Sequence, residues 1–176
     1  MIHSIINHLV ISLIPLLPLA VVRMFARRYV AGETIPEALA TVRRLNDEGY
    51  SATLDILGEH SKNKTEAKAV TDEYLNLYDS ILNEKLDCNL SIKLTHIGLD
   101  IDEHFTRANL QLLIDKAHQT NNFLRIDMEN SKVTNHILKL FNECKSESLE
   151  VGTVLQAYLY RSIEDIKMLH ANDNCN

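Results

Sequence analysis

Four charged side chains and one amide lie near the ends of four short apolar runs. They are Asp55, Lys93, Arg125, Asp127 and Gln156. Two carboxylates, two cations and an amide, brought together, could bind a charged small molecule or a ring that carries polar atoms. A buried charge without a partner is costly. We therefore expect these groups to pair with one another or to face a charged ligand.

The four apolar runs are predicted to be β-strands, and the stretches between them have the apolar spacing of helices. The predicted strands are Ser51–Leu57, Cys88–Thr95, Phe123–Met128 and Val151–Tyr158. The predicted helices are Ile35–Glu48, Thr65–Lys85, Asp102–Thr120, Lys132–Lys145 and one that begins at Ser162. Thr34 and Glu37 have the spacing of a capping box, and Gly49 is expected to stop the first helix. This alternation predicts parallel strands joined by right-handed crossovers.

The alternation of side chains within the strands favours a (β/α) barrel over an open doubly wound sheet. A parallel strand that is covered on both faces should be apolar throughout. Here Asn89, Ser91 and Lys93 share one face of the second strand, while leucine and isoleucine occupy the other. The remaining strands alternate in the same way. Helices would cover the apolar faces, and the polar faces would line a shared interior.

The carboxyl ends of barrel strands are where active sites are built, so the polar residues there are candidates for function. Lys93 could be a structural partner of Asp55 or Asp127, or could hold an anionic substrate group. Arg125 and Asp127 could satisfy each other. An inward amide at Gln156 needs several partners, which a polar ligand ring would supply. Tyr158 and Tyr160 are interpreted as packing residues.

Composition excludes several classes of function. The net charge of −6 argues against nucleic-acid binding. The three cysteines are far apart and fit neither a zinc site nor a disulfide framework, which suggests free thiols in a reducing cytosol. The eight histidines show no metal-ligand spacing, and no phosphate-cradling glycine motif is present. We expect no metal site and a cytoplasmic protein.

The beginning of the chain, Ile5–Val22, is strongly apolar and leaves three interpretations open. Two prolines and several polar residues weigh against a membrane span, and no basic segment precedes it as in a signal peptide. A broken helical arm is favoured, with a contact at the membrane surface as an alternative. The expected layout is an arm over 1–50, a partial barrel over 51–170 and a disordered tail over 171–176.

Four segments resemble the proline dehydrogenase family of flavin-dependent barrel enzymes. They are TLDILGEH (Thr53–His60), NLSIKLTHIGLD (Asn89–Asp100), LRIDMEN (Leu124–Asn130) and VLQAYLYRSIEDI (Val154–Ile166). The lead-in Phe25–Asp55 is also similar, and the resemblance covers roughly Leu16 to Leu169 in consistent order.

The resemblance implies oxidation of L-proline to pyrroline-5-carboxylate, with electrons passing to FAD and then to a membrane quinone. Lys93 would contact the substrate carboxylate, and Asp127 would be a catalytic-site residue that orients basic groups. Met128 and Gln156 match flavin-contacting positions. Peripheral attachment at the inner membrane face would give access to quinone. The protein's share in flavin chemistry is placement and electrostatics.

The family barrel has eight strands, and this chain supplies four, so an incomplete (β/α)8 TIM-type barrel is expected. The later family segments, including the arginines that hold flavin and substrate carboxylate, have no counterpart here. We expect a truncated product, weakly active or inactive alone. The alternative is a non-catalytic half-barrel that serves as an assembly piece by pairing with a complementary half-barrel or with itself.

Overall fold

The computed structural model describes residues 30–145 and 150–171 together with Pro18. The elements in these ranges are α1 (Ile35–Asp47), β1 (Ala52–Asp55), α2 (Lys64–Glu84), β2 (Cys88–Ile92), α3 (Glu103–Gln119), β3 (Leu124–Ile126), α4 (Thr134–Lys145), β4 (Val151–Thr153) and α5 (Ser162–Ala171). Apart from Pro18, the apolar segment at 5–22 lies outside the described residues, as does the tail at 172–176. Among the described helices, none has the length and apolar character needed to cross a bilayer.

The four strands form one parallel sheet in the order β1-β2-β3-β4. Right-handed crossovers between strands that follow one another in this order place every connecting helix on the same face of the sheet. A doubly wound sheet would instead reverse its strand order and carry helices on both faces. The prediction of barrel-type βα units is therefore confirmed over the described residues.

The core lies between the helices and the apolar face of the sheet. Leu90, Ile92, Leu124, Ile126 and Val151 are fully buried on that face. They pack with buried side chains of the helices, among them Tyr74, Tyr78, Leu110, Leu113 and Ile137. The opposite face carries Asp55, Ser91 and Arg125 at one level, because these residues pair in register across β1, β2 and β3. One face is thus apolar and covered, and the other is polar.

All four strands are shorter than predicted at their carboxyl ends. β1 ends at Asp55 rather than Leu57, whose side chain is 84% exposed. Beyond the ends of β1 and β2, two backbone N–H groups bond to side chains instead of to the neighbouring strand. The Ile56 N–H donates to the Tyr74 hydroxyl, and the Thr95 N–H donates to Glu129. These residues therefore leave the sheet ladder while remaining fixed.

The amino-terminal cap of α1 differs from the predicted capping box. The Thr34 side chain makes no capping hydrogen bond. The Glu37 carboxylate does reach back, but it accepts from the N–H of Glu33 at 2.8 Å, one residue earlier than predicted. A carboxylate in the first turn still interacts favourably with the helix dipole. The prediction that Glu37 reaches back to cap the helix is thus confirmed, with a different N–H partner, and the predicted bond to the Thr34 hydroxyl is wrong.

Helices α1, α2 and α3 end in the same way, in a Schellman motif with one residue at positive φ. These residues are Gly49 (φ 89), Lys85 (φ 54) and Asn121 (φ 48). In each motif the following N–H donates to a carbonyl five residues back, as Tyr50 does to Leu45 at 2.9 Å. The next strand begins three residues after each of them, at Ala52, Cys88 and Leu124. Only the stop at Gly49 was predicted.

Replacing Lys85 with glycine is expected to stabilise the protein by about 1 kcal/mol, because a side chain in the left-handed region is strained and glycine is not. Urea unfolding of Lys85→Gly and wild type measures the difference. The matched control is Asn121→Gly, which should gain less because asparagine tolerates this region better. A Lys85→Gly variant no more stable than wild type would contradict the strain that we assign to this helix end.

Candidate active site

Asp55, Lys93 and Asp127 converge at the carboxyl ends of β1, β2 and β3. Asp55 ends β1, while Lys93 and Asp127 directly follow β2 and β3. The Lys93 Nζ donates to Asp55 Oδ2 at 2.5 Å and lies 3.8 Å from Asp127 Oδ2. These side chains are only about a quarter to a third exposed, so their charges are partly shielded from water. One ammonium group is therefore shared by two carboxylates. They lie where the polar face reaches the carboxyl ends of the strands, which we call the mouth of the site.

Each of the two carboxylates is oriented by a hydroxyl group on its other oxygen. The Tyr74 hydroxyl, from α2, donates to Asp55 Oδ1 at 2.9 Å while it accepts the Ile56 N–H at 3.0 Å. Ser91 Oγ, from β2, donates to Asp127 Oδ1 at 2.5 Å. The result is a row across three strands in which hydrogen bonds are joined by the longer Lys93–Asp127 ion pair, with Lys93 at its centre. Such a row fixes the position of the cation.

The electrostatics of the row keep Lys93 charged. Partial burial acts to lower the pKa of Lys93, but the hydrogen bond and charge of Asp55, with the charges of Asp127 and Glu129, outweigh it and raise the pKa. Burial, reinforced by the negative charge of Asp55, raises the pKa of Tyr74, so this phenol stays protonated and can donate. At neutral pH the site therefore presents a fixed ammonium group between two oriented carboxyl groups.

Met128 and Gln156 lie together beside this row. The Gln156 side-chain N–H donates to the Met128 carbonyl at 3.3 Å. Met128 is nearly buried, whereas Gln156 is exposed and lies beyond the end of β4 rather than within a strand as predicted. The Ser162 hydroxyl donates to the Gln156 carbonyl and so ties this segment to the start of α5. The two residues are thus held together near Asp127, with Gln156 exposed.

A second set of hydrogen bonds joins the loops that follow β1, β2 and β3, and Thr95 is its centre. Thr95 donates its N–H to Glu129 Oε1 at 3.1 Å and its hydroxyl to the other Glu129 oxygen. Its hydroxyl oxygen and its carbonyl accept the N–H groups of His60 and Ser61, both at 3.2 Å. The sequence did not single out Thr95 or Glu129, although both lie two residues beyond a predicted site residue.

His96 is the neighbouring buried polar residue, at 8% exposed. Its Nδ1 has no hydrogen-bond partner within the described part of the chain. Burial lowers the pKa of His96, and the charge of Lys93 acts in the same direction. The ring lies against Gly58, where an added Cβ would come within 2.5 Å of it, and Gly58 has φ 154. Only glycine leaves room for a neutral imidazole here.

Two sequence interpretations are wrong at this site. Among the described residues Arg125 forms no ion pair with Asp127, which instead accepts from Ser91 and faces Lys93. Tyr158 and Tyr160 are fully exposed rather than packed. Tyr74 was assigned only to the apolar stripe of α2, and no sequence signal shows that its hydroxyl would reach Asp55 over the end of β1.

Parallel βα units with charged side chains at the carboxyl ends of their strands define the class of TIM-type barrel enzymes. The sequence model of the proline dehydrogenase family matches residues 38–174. Proline dehydrogenase 1 of Bacillus subtilis subsp. natto is 43% identical over 147 residues, which are 84% of this chain and 49% of the relative. Proline dehydrogenase of Deinococcus radiodurans is 33% identical over 145 residues, covering 80% and 47%. The chain belongs to the proline dehydrogenase family.

Solved structures agree with this assignment. Proline utilization A from Bdellovibrio bacteriovorus, inactivated by N-propargylglycine, superposes with a TM-score of 0.75 at 25% identity over 81% of this chain and 18% of that one. Proline utilization A from Corynebacterium freiburgense gives 0.66 at 26% identity over 76% and 15%. The predicted incomplete TIM-type barrel is thereby confirmed, and the described residues form four consecutive βα units. The chain spans about half the length of the curated relatives it matches.

Replacing Asp55 with asparagine is expected to lower the pKa of Lys93, because the opposing effect of burial remains while the carboxylate is lost. The pH dependence of Lys93 acetylation, followed by mass spectrometry, measures this pKa. A raised lysine pKa contributes stability below the unfolded value of 10.5 that is lost as the pH rises through the folded value. Asp55→Asn should therefore also be less stable than wild type at neutral pH.

The control for this substitution is Asp72→Asn, which removes the partner of Lys68 on the surface of α2 and should leave Lys93 unchanged. A Lys93 pKa that is equal in Asp55→Asn and wild type would show that Asp55 is not the group that holds the ammonium charge.

Proposed function

We propose that this chain forms the amino-terminal part of a flavin-dependent L-proline dehydrogenase, which oxidises L-proline to pyrroline-5-carboxylate and passes electrons through FAD to a quinone. The observation that supports the proposal most is the position of Lys93 between Asp55 and Asp127 at the carboxyl ends of three parallel strands. This is the location of barrel active sites, and it offers a fixed cation for an anionic substrate group.

Lys93 is proposed to bind the substrate carboxylate. An ammonium group has three N–H donors, so contacts with Asp55 and Asp127 leave a donor for a ligand oxygen. Asp55 holds the lysine in place, and Asp127 is proposed as a catalytic-site residue that orients it from the other side. A site that carries both signs of charge 3.8 Å apart suits an amino acid, which is a zwitterion, better than a plain carboxylic acid.

Met128 and Gln156 are proposed to contact the flavin. The amide N–H of Gln156 donates a hydrogen bond to the Met128 carbonyl, and its amide oxygen has no partner among the described residues. An exposed glutamine amide beside a buried methionine fits a flat ring that has both polar and apolar edges. FAD, when bound, would accept the hydride. The residues of this chain would place the substrate against it and hold the nearby charges fixed.

Activity is proposed to require further βα units, in the same or another polypeptide, because the relatives are about twice as long as the matched region. Exposed apolar side chains beyond β4 support the alternative that the chain acts as a half-barrel assembly piece. Tyr158 and Tyr160 are fully exposed, and Ile163 and Ile166 are more than half exposed on one side of α5. Either a complementary half-barrel or a second copy could cover them.

The test is reconstitution of the purified chain with FAD, alone and mixed with a polypeptide comprising the remaining half of Bacillus subtilis proline dehydrogenase 1. Alone, we expect weak flavin binding and little proline-dependent dye reduction. The mixture should bind flavin and reduce dye. Lys93→Met in the mixture should raise the KM for proline by about tenfold or more, since a hydrogen bond to a charged group is worth about 1.5–3 kcal/mol.

The matched control is Lys132→Met, which removes an exposed lysine from the loop after β3 and should leave KM unchanged. Robust turnover by the chain alone would refute the requirement for further units. A mixture that associates without flavin binding or dye reduction would favour the assembly piece.

A further inference from the structure

The two proposed substrate-site residues of β2 and β3 lie just beyond the hydrogen-bonded part of the sheet. The β2–β3 ladder ends at Ile92 and Ile126, and a last backbone bond joins the Asp127 N–H to the Ile92 carbonyl at 2.9 Å. Lys93 and Asp127 are therefore attached to the sheet at one end of their segments only. Without a second attachment, each segment would be free to move relative to the other.

The second attachment is made by the Glu129 carboxylate. It accepts both the N–H and the hydroxyl of Thr95, so each of its oxygens is bound to the same residue. Thr95 lies two residues after Lys93, and Glu129 lies two residues after Asp127. The pair Lys93 and Asp127 is thus enclosed between the Ile92–Asp127 backbone bond on one side and the Thr95–Glu129 bonds on the other.

This attachment is made with a buried charge, which is an unfavourable way to stabilise a fold. Glu129 is 7% exposed and Thr95 is fully buried. Burial raises the pKa of Glu129, although the two hydrogen bonds from Thr95 act against it. An acid whose pKa is raised by folding contributes stability below its unfolded pKa, and that contribution is lost as the pH rises through the folded value. Folding therefore favours the protonated form of Glu129, and the carboxylate form lowers stability relative to it.

We propose that Glu129 is a positioning residue that acts through Thr95 to fix the Lys93 ammonium group relative to Asp127. This inference rests on the proposed function, since it assigns a role in the same substrate site. The carboxylate serves to position Lys93, and it does not serve to stabilise the fold. Bidentate contact from a carboxylate fixes the distance and the direction of the segment that it binds.

The test is the rate of Lys93 acetylation in a short pulse of an amine-acylating reagent, measured by mass spectrometry on the whole chain without substrate or flavin. Glu129→Gln and Thr95→Val should each raise the rate about two- to tenfold, the factor by which losing one hydrogen bond shifts a local opening equilibrium. Thr95→Ser keeps the hydroxyl and should match wild type. Glu59→Gln removes an exposed charge nearby and should also match it.

Two further measurements separate positioning from other effects. Glu129→Gln should unfold at the same temperature as wild type or higher, and amide exchange at Leu90 and Ile92 in the sheet should stay unchanged. The charge of Glu129 also acts on Lys93 directly. If acetylation of Lys93 were faster in Glu129→Gln but not in Thr95→Val, the loss of this charge alone would explain the result, and the proposal would be overturned. Unchanged acetylation in both variants, or faster exchange throughout the sheet, would also overturn it. Failure of the flavin assay alone would leave these results standing.

Discussion

The sharing of the Lys93 ammonium group between Asp55 and Asp127 is the interaction on which the site depends. It requires three neighbouring strand ends: Lys93 and Asp127 directly follow the paired residues Ile92 and Ile126, and Asp55 pairs with Ser91, two residues before Lys93. Lys93 contacts only one oxygen of each carboxylate. The other oxygen also needs a hydrogen-bond donor, because partly buried carboxylates need more than one partner. Tyr74 and Ser91 meet this need from a helix and from a strand. The packed core and the polar mouth are therefore coupled through the Tyr74 side chain, whose ring belongs to the core and whose hydroxyl belongs to the site.

The regular spacing of the first three units explains why the charges meet. Gly49, Lys85 and Asn121 end successive helices at intervals of 36 residues, and the strands begin three residues later in each unit. Asp55, Ser91 and Asp127 follow at the same interval. Positions 36 residues apart are in register between β1 and β2, and between β2 and β3 they are offset by two residues, which is still close enough for side chains to meet. The contacts between Thr53 and Asn89 and between Ser91 and Asp127 both span 36 residues and are examples. Equal turn geometry thus brings side chains together that are far apart in the sequence.

The fold and the centre of the site could be predicted because both follow from periodicity. Alternating apolar residues indicated the strands, and parallel pairing implied that Lys93 and Asp127 would share a face. The strand ends could not be predicted, since they depend on whether a backbone N–H meets a neighbouring strand or a side chain, as at Ile56 and Thr95. The left-handed turn at Lys85 was also missed, because lysine gives no local signal for positive φ. The Glu129–Thr95 contact joins residues 34 apart and depends on loop geometry that no short pattern encodes.

The balance of charge around Lys93 affects how well this site could bind an anionic group. Asp55 and Asp127 place two carboxylates around one ammonium group, so the row itself carries an excess of negative charge. A substrate carboxylate that approaches Lys93 would meet repulsion from both. Arg125 lies on the same face, in register with Ser91 and level with Asp55, but within the described residues it forms no ion pair with Asp127. Further cations near Lys93 would offset this repulsion and strengthen the binding of an anionic group there. This expectation follows from the charges of the row, and it is the physical reason behind our proposal that activity requires further βα units.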